Sequence, residues 1–146
     1  MVSYVDSSVA LRHILLGEAA IRHALAADRV ISSELMEIEC RRTIHRCRMQ
    51  GDLDDQETAT AVVRLEALLR GISLIGLSAE IKKRAMEAYP VSVKTSDALH
   101  IASVLRFADR FPDEQVLVFS HDAAFNRCAR ALGFNVPLWD SAEKEQ

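Results

Sequence analysis

The sequence predicts one three-layer α/β/α domain with a central, mostly parallel sheet of four or five strands and a protruding helical pair. The length of 146 residues is close to the commonest size of a single domain. Short apolar, β-branched runs alternate with longer stretches of helical period, and this alternation favours crossover connections and a sheet covered on both faces. Residues 1–140 are expected to form the domain, and residues 141–146 a frayed tail.

Four short apolar runs predict buried strands at residues 2–5, 29–33, 72–77 and 116–120, and a weaker run predicts a fifth at 135–138. Helical periodicity predicts helices at residues 8–16, 34–49, 54–70, 79–89, 96–109 and 123–132, and Gly133 ends the last of them. The helices within residues 34–70 follow each other without a strand and break near Gly51. They are therefore expected to form a hairpin that stands on the sheet as a clamp or a dimer surface.

Composition excludes several classes of protein. Hydrophobic residues make up 49% and charged residues 27%, as in an ordinary soluble globular domain. The three cysteines have no Cys-x-x-Cys spacing, which argues against a disulfide framework or a cysteine-rich zinc site. We expect a cytoplasmic protein without membrane contact, because no signal peptide or long apolar run is visible. The sequence contains neither a glycine-rich phosphate loop nor a dinucleotide fingerprint, so we expect no nucleotide cofactor.

The net charge of −3 does not decide whether the partner is a nucleic acid. Proteins that bind nucleic acids usually carry a basic surface. If four of the 21 acidic residues were gathered in one metal site, 17 acidic residues would remain against 18 lysines and arginines. The rest of the protein would then be close to neutral.

Two aspartates follow predicted strands directly. Asp6 ends the first strand, and Asp122 follows the strand that ends near Ser120. Each stands where a helix begins and suits a helix N-cap. For Asp6, Ser7 or Ser8 would cap equally well, which would leave its carboxylate free to point across the strand ends.

Two further acids lie on helices with spacing that points them inward. Glu39 lies one turn beyond Leu35 and beside Ile38, on the side predicted to face the core. Asp97 shares a face with Ile101, although an acid in a first helical turn also suits the helix dipole. Burying an unpaired charge is costly, so an inward acid suggests a function.

The carboxyl ends of parallel strands share one edge of a sheet, so these four acids are expected to lie together. If four ionised carboxylates came within about 5–8 Å, each pair would repel by roughly 2–3 kcal/mol, and all six pairs by about 12–20 kcal/mol. That rivals the whole stability of a domain, about 5–15 kcal/mol. Such a cluster must bind cations or protons, and oxygen ligands favour Mg²⁺ or Mn²⁺.

Four stretches resemble the PIN-domain ribonucleases, specifically the VapC-type toxins of toxin–antitoxin pairs. They are Tyr4-Val5-Asp6-Ser7-Ser8, then Ser32-Ser33-Glu34-Leu35 leading to Glu39 and Arg42, then Ser96-Asp97-Ala98-Leu99-His100-Ile101-Ala102, and finally Phe119-Ser120-His121-Asp122 with Ala129-Arg130-Ala131-Leu132-Gly133-Phe134. The third stretch is close to the family's run Asp-Ala-Leu-His-Leu-Ala and is the most specific of the four to this family. The resemblance spans residues 1–140 in the family's order.

The resemblance implies a catalytic acidic quartet of Asp6, Glu39, Asp97 and Asp122, supported by Ser120. Asp6 and Asp97 are the first choice as direct ligands of one or two Mg²⁺ or Mn²⁺ ions. It also implies RNA hydrolysis, paired subunits and a VapB-like antitoxin whose C-terminal segment wraps the toxin.

Other residues are weaker candidates. Four basic residues would either hold RNA phosphates or lie on solvated helix faces, and the solvated faces are the favoured interpretation. They are Arg12, Arg42, Lys94 and Arg127. Ser7 would support the acids. His100 would polarise Asp97 or, as we favour, be packed and hydrogen-bonded.

The helix expected at residues 79–89 predicts a homodimer. Its apolar positions, Ile81, Met86, Ala88 and Tyr89, exceed what one sheet face would cover.

The sequence also bears on three other functions. A phosphoacceptor signalling domain needs an aspartate after the third strand, where Ser78 stands instead. A metal-dependent adhesion module needs Asp-x-Ser-x-Ser, but Ala10 occupies its last position. A PIN-like scaffold that binds RNA or protein without cutting it remains the alternative, although a complete quartet argues against it.

Overall fold

The computed structural model describes residues 1–19 and 21–140, so the expected tail at 141–146 lies outside the described residues. Its centre is a parallel sheet of four strands in the order β3-β2-β1-β4. The strands are β1 (Val2–Val5), β2 (Arg29–Ser33), β3 (Ser73–Ile75) and β4 (Val116–Phe119). Strand β1 lies between β2 and β4, with Ser3 opposite Val30 and Leu117.

Helices cover both faces of this sheet. They are α1 (Ser7–Leu16), α2 (Ile21–Leu25), α3 (Glu34–Met49), α4 (Asp55–Arg70), α5 (Ala79–Ala85), α6 (Thr95–Arg110) and α7 (Ala123–Ala131). The predicted three-layer fold is confirmed. No helix in the described part of the chain is long and apolar enough to span a bilayer.

The core is divided between the two faces because successive strand side chains point in opposite directions. Val5 lies in the cluster formed with α1, α3 and α4, where Ile14 and Leu65 are fully buried. Tyr4 lies in the opposite cluster, against Ile101 of α6 and other residues of α6 and α7. All four residues of β1 and of β4 are buried, so the centre of the sheet is a rigid base for whatever follows each strand.

Helices α3 and α4 form the predicted hairpin. Gly51, between them, has a φ of 79°, a conformation that costs a glycine little. Asp54 and Glu57 form a capping box that starts α4. The outer surface of the pair keeps Ile38, Met49 and Val63 exposed at 54%, 73% and 66%.

Three predictions of local structure are wrong, and one helix was missed. Helix α2 was not predicted, because five residues are too few to show a period. The fifth strand is only a bridge from Leu117 to Asn135. Helix α5 stops at Ala85 rather than at residue 89, and β3 has only three residues rather than six.

Candidate functional site

The carboxyl ends of β1, β2 and β4 bring the sequence-predicted acids to one edge of the sheet. Asp6 follows β1, Asp122 follows β4 by three residues, and Glu39 lies in the second turn of α3, which begins directly after β2. Asp97 lies in the first turn of α6. We call these four residues the acidic edge.

Asp6 is 4% exposed, and both of its carboxylate oxygens accept hydrogen bonds. Oδ1 accepts from the Ser8 N–H at 3.1 Å, the Ser8 hydroxyl at 2.6 Å and the Val9 N–H at 3.3 Å. Oδ2 accepts from the Ser120 hydroxyl at 2.5 Å. Asp6 is thus the N-cap of α1, which settles the alternatives left open by Ser7 and Ser8. Burial raises its pKa, although His100 and these donors act against the rise.

Glu39 is held by a buried chain of polar side chains. Its Oε1 accepts hydrogen bonds from the Ser7 hydroxyl at 2.6 Å and from His100 Nε2 at 2.7 Å. The other ring nitrogen, Nδ1, lies 2.7 Å from the Tyr4 hydroxyl. Burial raises the pKa of Tyr4 well above its usual value, so Tyr4 stays protonated and donates to Nδ1. Nε2 then carries the hydrogen that Glu39 accepts.

These donors also explain the ionisation of Glu39. Burial raises the pKa of this carboxyl, but the hydrogen bonds from His100 and Ser7 outweigh burial, and the pKa lies below its ordinary value. The prediction that Glu39 and Ile38 lie on the core-facing side of α3 is partly wrong. Glu39 is half-buried, whereas its neighbour Ile38 is exposed.

His100 is 2% exposed and hydrogen-bonded, as the favoured interpretation predicted. The acid that it contacts, however, is Glu39 rather than Asp97. Its partners Tyr4 and Glu39 are 96 and 61 residues away in the chain, so helical spacing contained no signal for either contact.

Asp97 has a different environment. It is 7% exposed, as the helical spacing predicted, yet within the described chain its carboxylate accepts no hydrogen bond. Burial raises its pKa to about 7, together with the negative charges of Asp122 and Asp6, while Lys94 and His100 act in the opposite direction. Asp97 therefore differs from the other three acids, each of which accepts at least one hydrogen bond.

Asp122 has a structural role that the sequence also predicted. Its Oδ1 accepts a hydrogen bond from the Phe125 N–H at 2.8 Å and caps α7. Its Oδ2 lies 4.0 Å from the ammonium of Lys94. The Ser120 hydroxyl, which donates to Asp6, also accepts from the Asp122 N–H at 2.9 Å. Ser120 therefore links Asp6 to Asp122.

The basic candidates are spread more widely. Lys94 lies beside Asp122 and lowers the pKa of both Asp97 and Glu39. Arg42 is exposed on α3, and Arg127 is half-buried on α7. Arg12 forms an ion pair with Glu18 at 3.7 Å.

The acidic edge suits a hard cation in the chemistry of its donors, but it is not a finished coordination shell. Within the described residues, no three His, Cys, Asp or Glu side chains converge on one point that would hold an ion. Both oxygens of Asp6 and one oxygen each of Glu39 and Asp122 accept hydrogen bonds. A small divalent ion keeps several waters and needs few direct carboxylates, so this arrangement fits such an ion.

Fold and site together define an α/β protein with buried carboxylates at the carboxyl edge of a parallel sheet. The chain belongs to the PIN-domain family, because the model of that family matches residues 3–131. Members of this family are generally nucleases. No sequence match was found among curated proteins.

A solved structure has the same fold. It is described as VapBC2 from Rickettsia felis bound to a DNA fragment from their promoter. The similarity has a TM-score of 0.64 and covers 93% of this chain and 97% of that chain, at 10% sequence identity. The PIN-like fold expected from the sequence is thereby confirmed.

Proposed function

We propose that this chain is a Mg²⁺- or Mn²⁺-dependent endoribonuclease and the toxin of a type II toxin–antitoxin pair. The observation that carries the proposal is Asp97: a buried carboxylate to which no group of the described chain donates a hydrogen bond, in a PIN domain, with its pKa raised to about 7 by burial and by Asp122 and Asp6. A cation beside Asp97, in addition to the ammonium of Lys94, would offset the unfavourable free energy of ionising this buried carboxylate.

Asp6 and Asp97 would be the direct ligands of one or two divalent ions, with Glu39 and Asp122 beside them. A bound ion of this kind lowers the pKa of water and stabilises charge that builds on a phosphate. The hydroxyls of Ser8 and Ser120 hold the carboxylate of Asp6 in place. Glu39 is anchored through Oε1, and Oε2 has no hydrogen bond within the described chain, so it is available for an ion or for orienting water.

RNA would approach this edge through its phosphates. Lys94 supports this, because its exposed ammonium lies beside the acids. Arg42, Arg12 and Arg127 are proposed as further phosphate contacts, Arg42 being exposed on the helix that carries Glu39.

We also propose a VapB-like antitoxin as a partner, in the cytoplasm. The exposed apolar side chains of Ile38, Met49 and Val63 on the α3–α4 hairpin suit an amphipathic helix laid beside the acidic edge. An arginine of that partner would be attracted to Asp97. Purification after co-expression with the product of a neighbouring reading frame tests this partner; recovery of the chain alone would oppose it.

A homodimer is proposed as well, on narrower support than the sequence suggested. Ile81 is buried within the chain, and Tyr89 is half-buried with its hydroxyl donating to the carbonyls of Arg84 and Ala98. Met86 is 82% exposed and remains as apolar surface. Sedimentation at micromolar concentration tests the dimer, and a single 16.3 kDa species would contradict it.

Cleavage of labelled RNA tests the enzymatic proposal. The wild type should cut with Mg²⁺ or Mn²⁺ and stop with EDTA. Asp97→Asn and Asp6→Asn should each cost more than about 100-fold, because even the residues that support metal ligands are worth about 10–100-fold. Asp109→Asn, an exposed acid on the same helix as Asp97, is the matched control and should keep full activity.

Two outcomes would contradict the proposal. Folded Asp97→Asn protein with full EDTA-sensitive cleavage would show that the site is elsewhere. Wild type that binds RNA with the metal present but forms no product would favour the alternative, a PIN-like scaffold that binds RNA or protein without cutting it.

A further inference from the structure

Asn126, near the start of α7, carries a buried amide that the acidic edge does not include. Its side chain is fully buried, and its Nδ2 donates a hydrogen bond to the backbone carbonyl of Ser120 at 2.9 Å. Within the residues that the structure describes, its Oδ1 accepts no hydrogen bond. Burying an unpaired polar atom destabilises the folded state, so an apolar side chain would suit this position better if packing were its whole role.

The carbonyl that Asn126 binds belongs to the connection between β4 and α7. Strand β4 ends at Phe119, which is paired with Val5, and α7 begins at Ala123. Ser120 therefore lies one residue past the paired part of β4, and the ladder no longer fixes it on both sides. The hydrogen bond from Asn126 ties the helix back to this connection.

The position of Ser120 matters because its hydroxyl serves two acids of the acidic edge at once. The hydroxyl donates to Asp6 Oδ2 at 2.5 Å and accepts from the Asp122 N–H at 2.9 Å. A hydroxyl has a single hydrogen, so it must present that hydrogen to Asp6 and a lone pair to Asp122. Hydrogen bonds weaken steeply when they bend, so a small shift of the Ser120 backbone would weaken one of the two.

From the buried amide and the shared hydroxyl together, we propose that Asn126 is a positioning residue of the acidic edge. By holding the carbonyl of Ser120, it fixes the hydroxyl of the same residue between Asp6 and Asp122. Its consequence for a bound ion rests on the proposed function, in which Asp6 is a direct ligand. Residues that support metal ligands are worth about 10–100-fold in metal affinity.

Helix α7 has other anchors, so Asn126 is not needed merely to hold it on the sheet. Phe125 and Cys128 are fully buried in the cluster between the sheet, α6 and α7. Asp122 caps the helix through the Phe125 N–H. The bond from Asn126 is a separate link, which joins the helix to the residue whose hydroxyl supports Asp6.

Amide hydrogen exchange in the metal-free protein tests the link from Asn126 to Ser120. Asn126→Leu keeps a side chain of similar size and removes the donor. The Asp122 N–H, whose acceptor is the Ser120 hydroxyl, should exchange about tenfold or more faster in this variant, because its connection opens locally. The Val118 N–H, bound to the Asn135 carbonyl, is the internal reference and should change only with overall stability.

Titration calorimetry with Mn²⁺ tests the consequence for the acidic edge through a double-mutant cycle. Asn126→Leu and Ser120→Ala should each weaken Mn²⁺ binding about tenfold. The double variant should also lose about tenfold rather than a hundredfold, because both changes act through one hydroxyl. Ile72→Val is the matched control: it removes a buried methyl group at the amino end of β3 and should bind Mn²⁺ like the wild type.

The outcomes separate this inference from the proposed function. A wild type that binds no Mn²⁺ would contradict the proposed function, and hydrogen exchange would still decide whether Asn126 fixes Ser120. Asn126→Ser replaces the leucine variant if that variant does not fold, since a helical serine bonds the carbonyl four residues before it. Unchanged exchange at Asp122, wild-type Mn²⁺ affinity in folded Asn126→Leu, or a hundredfold loss in the double variant would each overturn the proposal.

Discussion

The two sides of the acidic edge handle the same charge in different ways. On one side, Asp6 and Glu39 accept hydrogen bonds from serine hydroxyls, backbone N–H groups and His100. On the other side, Asp97 accepts no hydrogen bond from the residues that the structure describes, and Asp122 has one capping bond and a lysine at 4.0 Å. The pKa values follow this difference only in part: the pKa of Glu39 is lowered and that of Asp97 is raised to about 7, whereas burial raises the pKa of Asp6 despite its donors.

The difference teaches that burial alone does not determine ionisation. Burial acts to raise the pKa of Asp6, Glu39 and Asp97 alike. At Glu39 the donors outweigh burial, whereas Asp97 has no donor within the described chain and its pKa rises to about 7. The side with donors is prearranged by the protein itself. On the other side, Asp97 has no donor within the described chain, and under the proposed function a cation from solution would offset its charge.

The largest expected effect is that of the cation on stability. Mg²⁺ or Mn²⁺ at one hundred times its Kd should raise the free energy of unfolding by about 2.7 kcal/mol, because the ion binds only the folded edge. Asp97→Asn should lose most of this increase, and Asp109→Asn none of it. Differential scanning calorimetry measures both; a melting curve unchanged across millimolar metal would remove the distinction between the two sides.

The pH dependence of stability without metal should give a smaller effect. Because folding raises the pKa of Asp97 from 3.8 to about 7, its favourable contribution is complete below pH 3.8 and is lost as the pH rises through 7. The shift is worth at most about 4 kcal/mol, and screening by solvent reduces that to about 2 kcal/mol. Asp97→Asn should therefore match the wild type near pH 4 and melt roughly 4–8 °C higher at pH 8.

The control for this pH series is again Asp109→Asn, which should follow the wild type at every pH. If the difference in melting temperature between Asp97→Asn and the wild type stays constant from pH 4 to pH 8, Asp97 ionises in the folded protein at no cost in stability.

The smallest effect concerns the side with donors. Tyr4→Phe removes the hydroxyl that fixes His100, and cleavage should fall about tenfold because Glu39 is then less well oriented. Tyr89→Phe is the matched control, since its hydroxyl contacts backbone carbonyls. Both should lose about 1 kcal/mol of stability, but only Tyr4→Phe should lose activity per folded molecule. Equal activity in the two variants would mean that the histidine is structural only.

The sequence predicted the elements that a single local signal determines. The β-branched runs placed four strands, and the acids at helix starts were located together with their capping roles. Pro90 also contained a signal for the end of α5, because a residue before proline disfavours the helical conformation. Tyr89 packs on the core from beyond the end of the helix, so its apolar side chain extends the helical pattern past Ala85.

Contacts between distant residues were outside the reach of such patterns. Tyr4 and His100 each look like a core residue in their own stretch, and only the crossing of β1 and α6 joins them. The bridge at Asn135 does not extend into a strand, since Pro137 lacks the N–H that a ladder needs. Which acids have donors was likewise a matter of tertiary structure.

Asp6 and Asp122 begin helices as well as forming the acidic edge. A systematic alanine survey of this protein would therefore confuse two quantities, because alanine at either position removes a cap worth about 1 kcal/mol along with a charge. Asparagine keeps the cap and removes only the charge, so the two substitutions at one position separate folding from chemistry. Asp97, which caps nothing, needs no such pair. The chain thus provides its own internal standard for how much of a lost activity is lost structure.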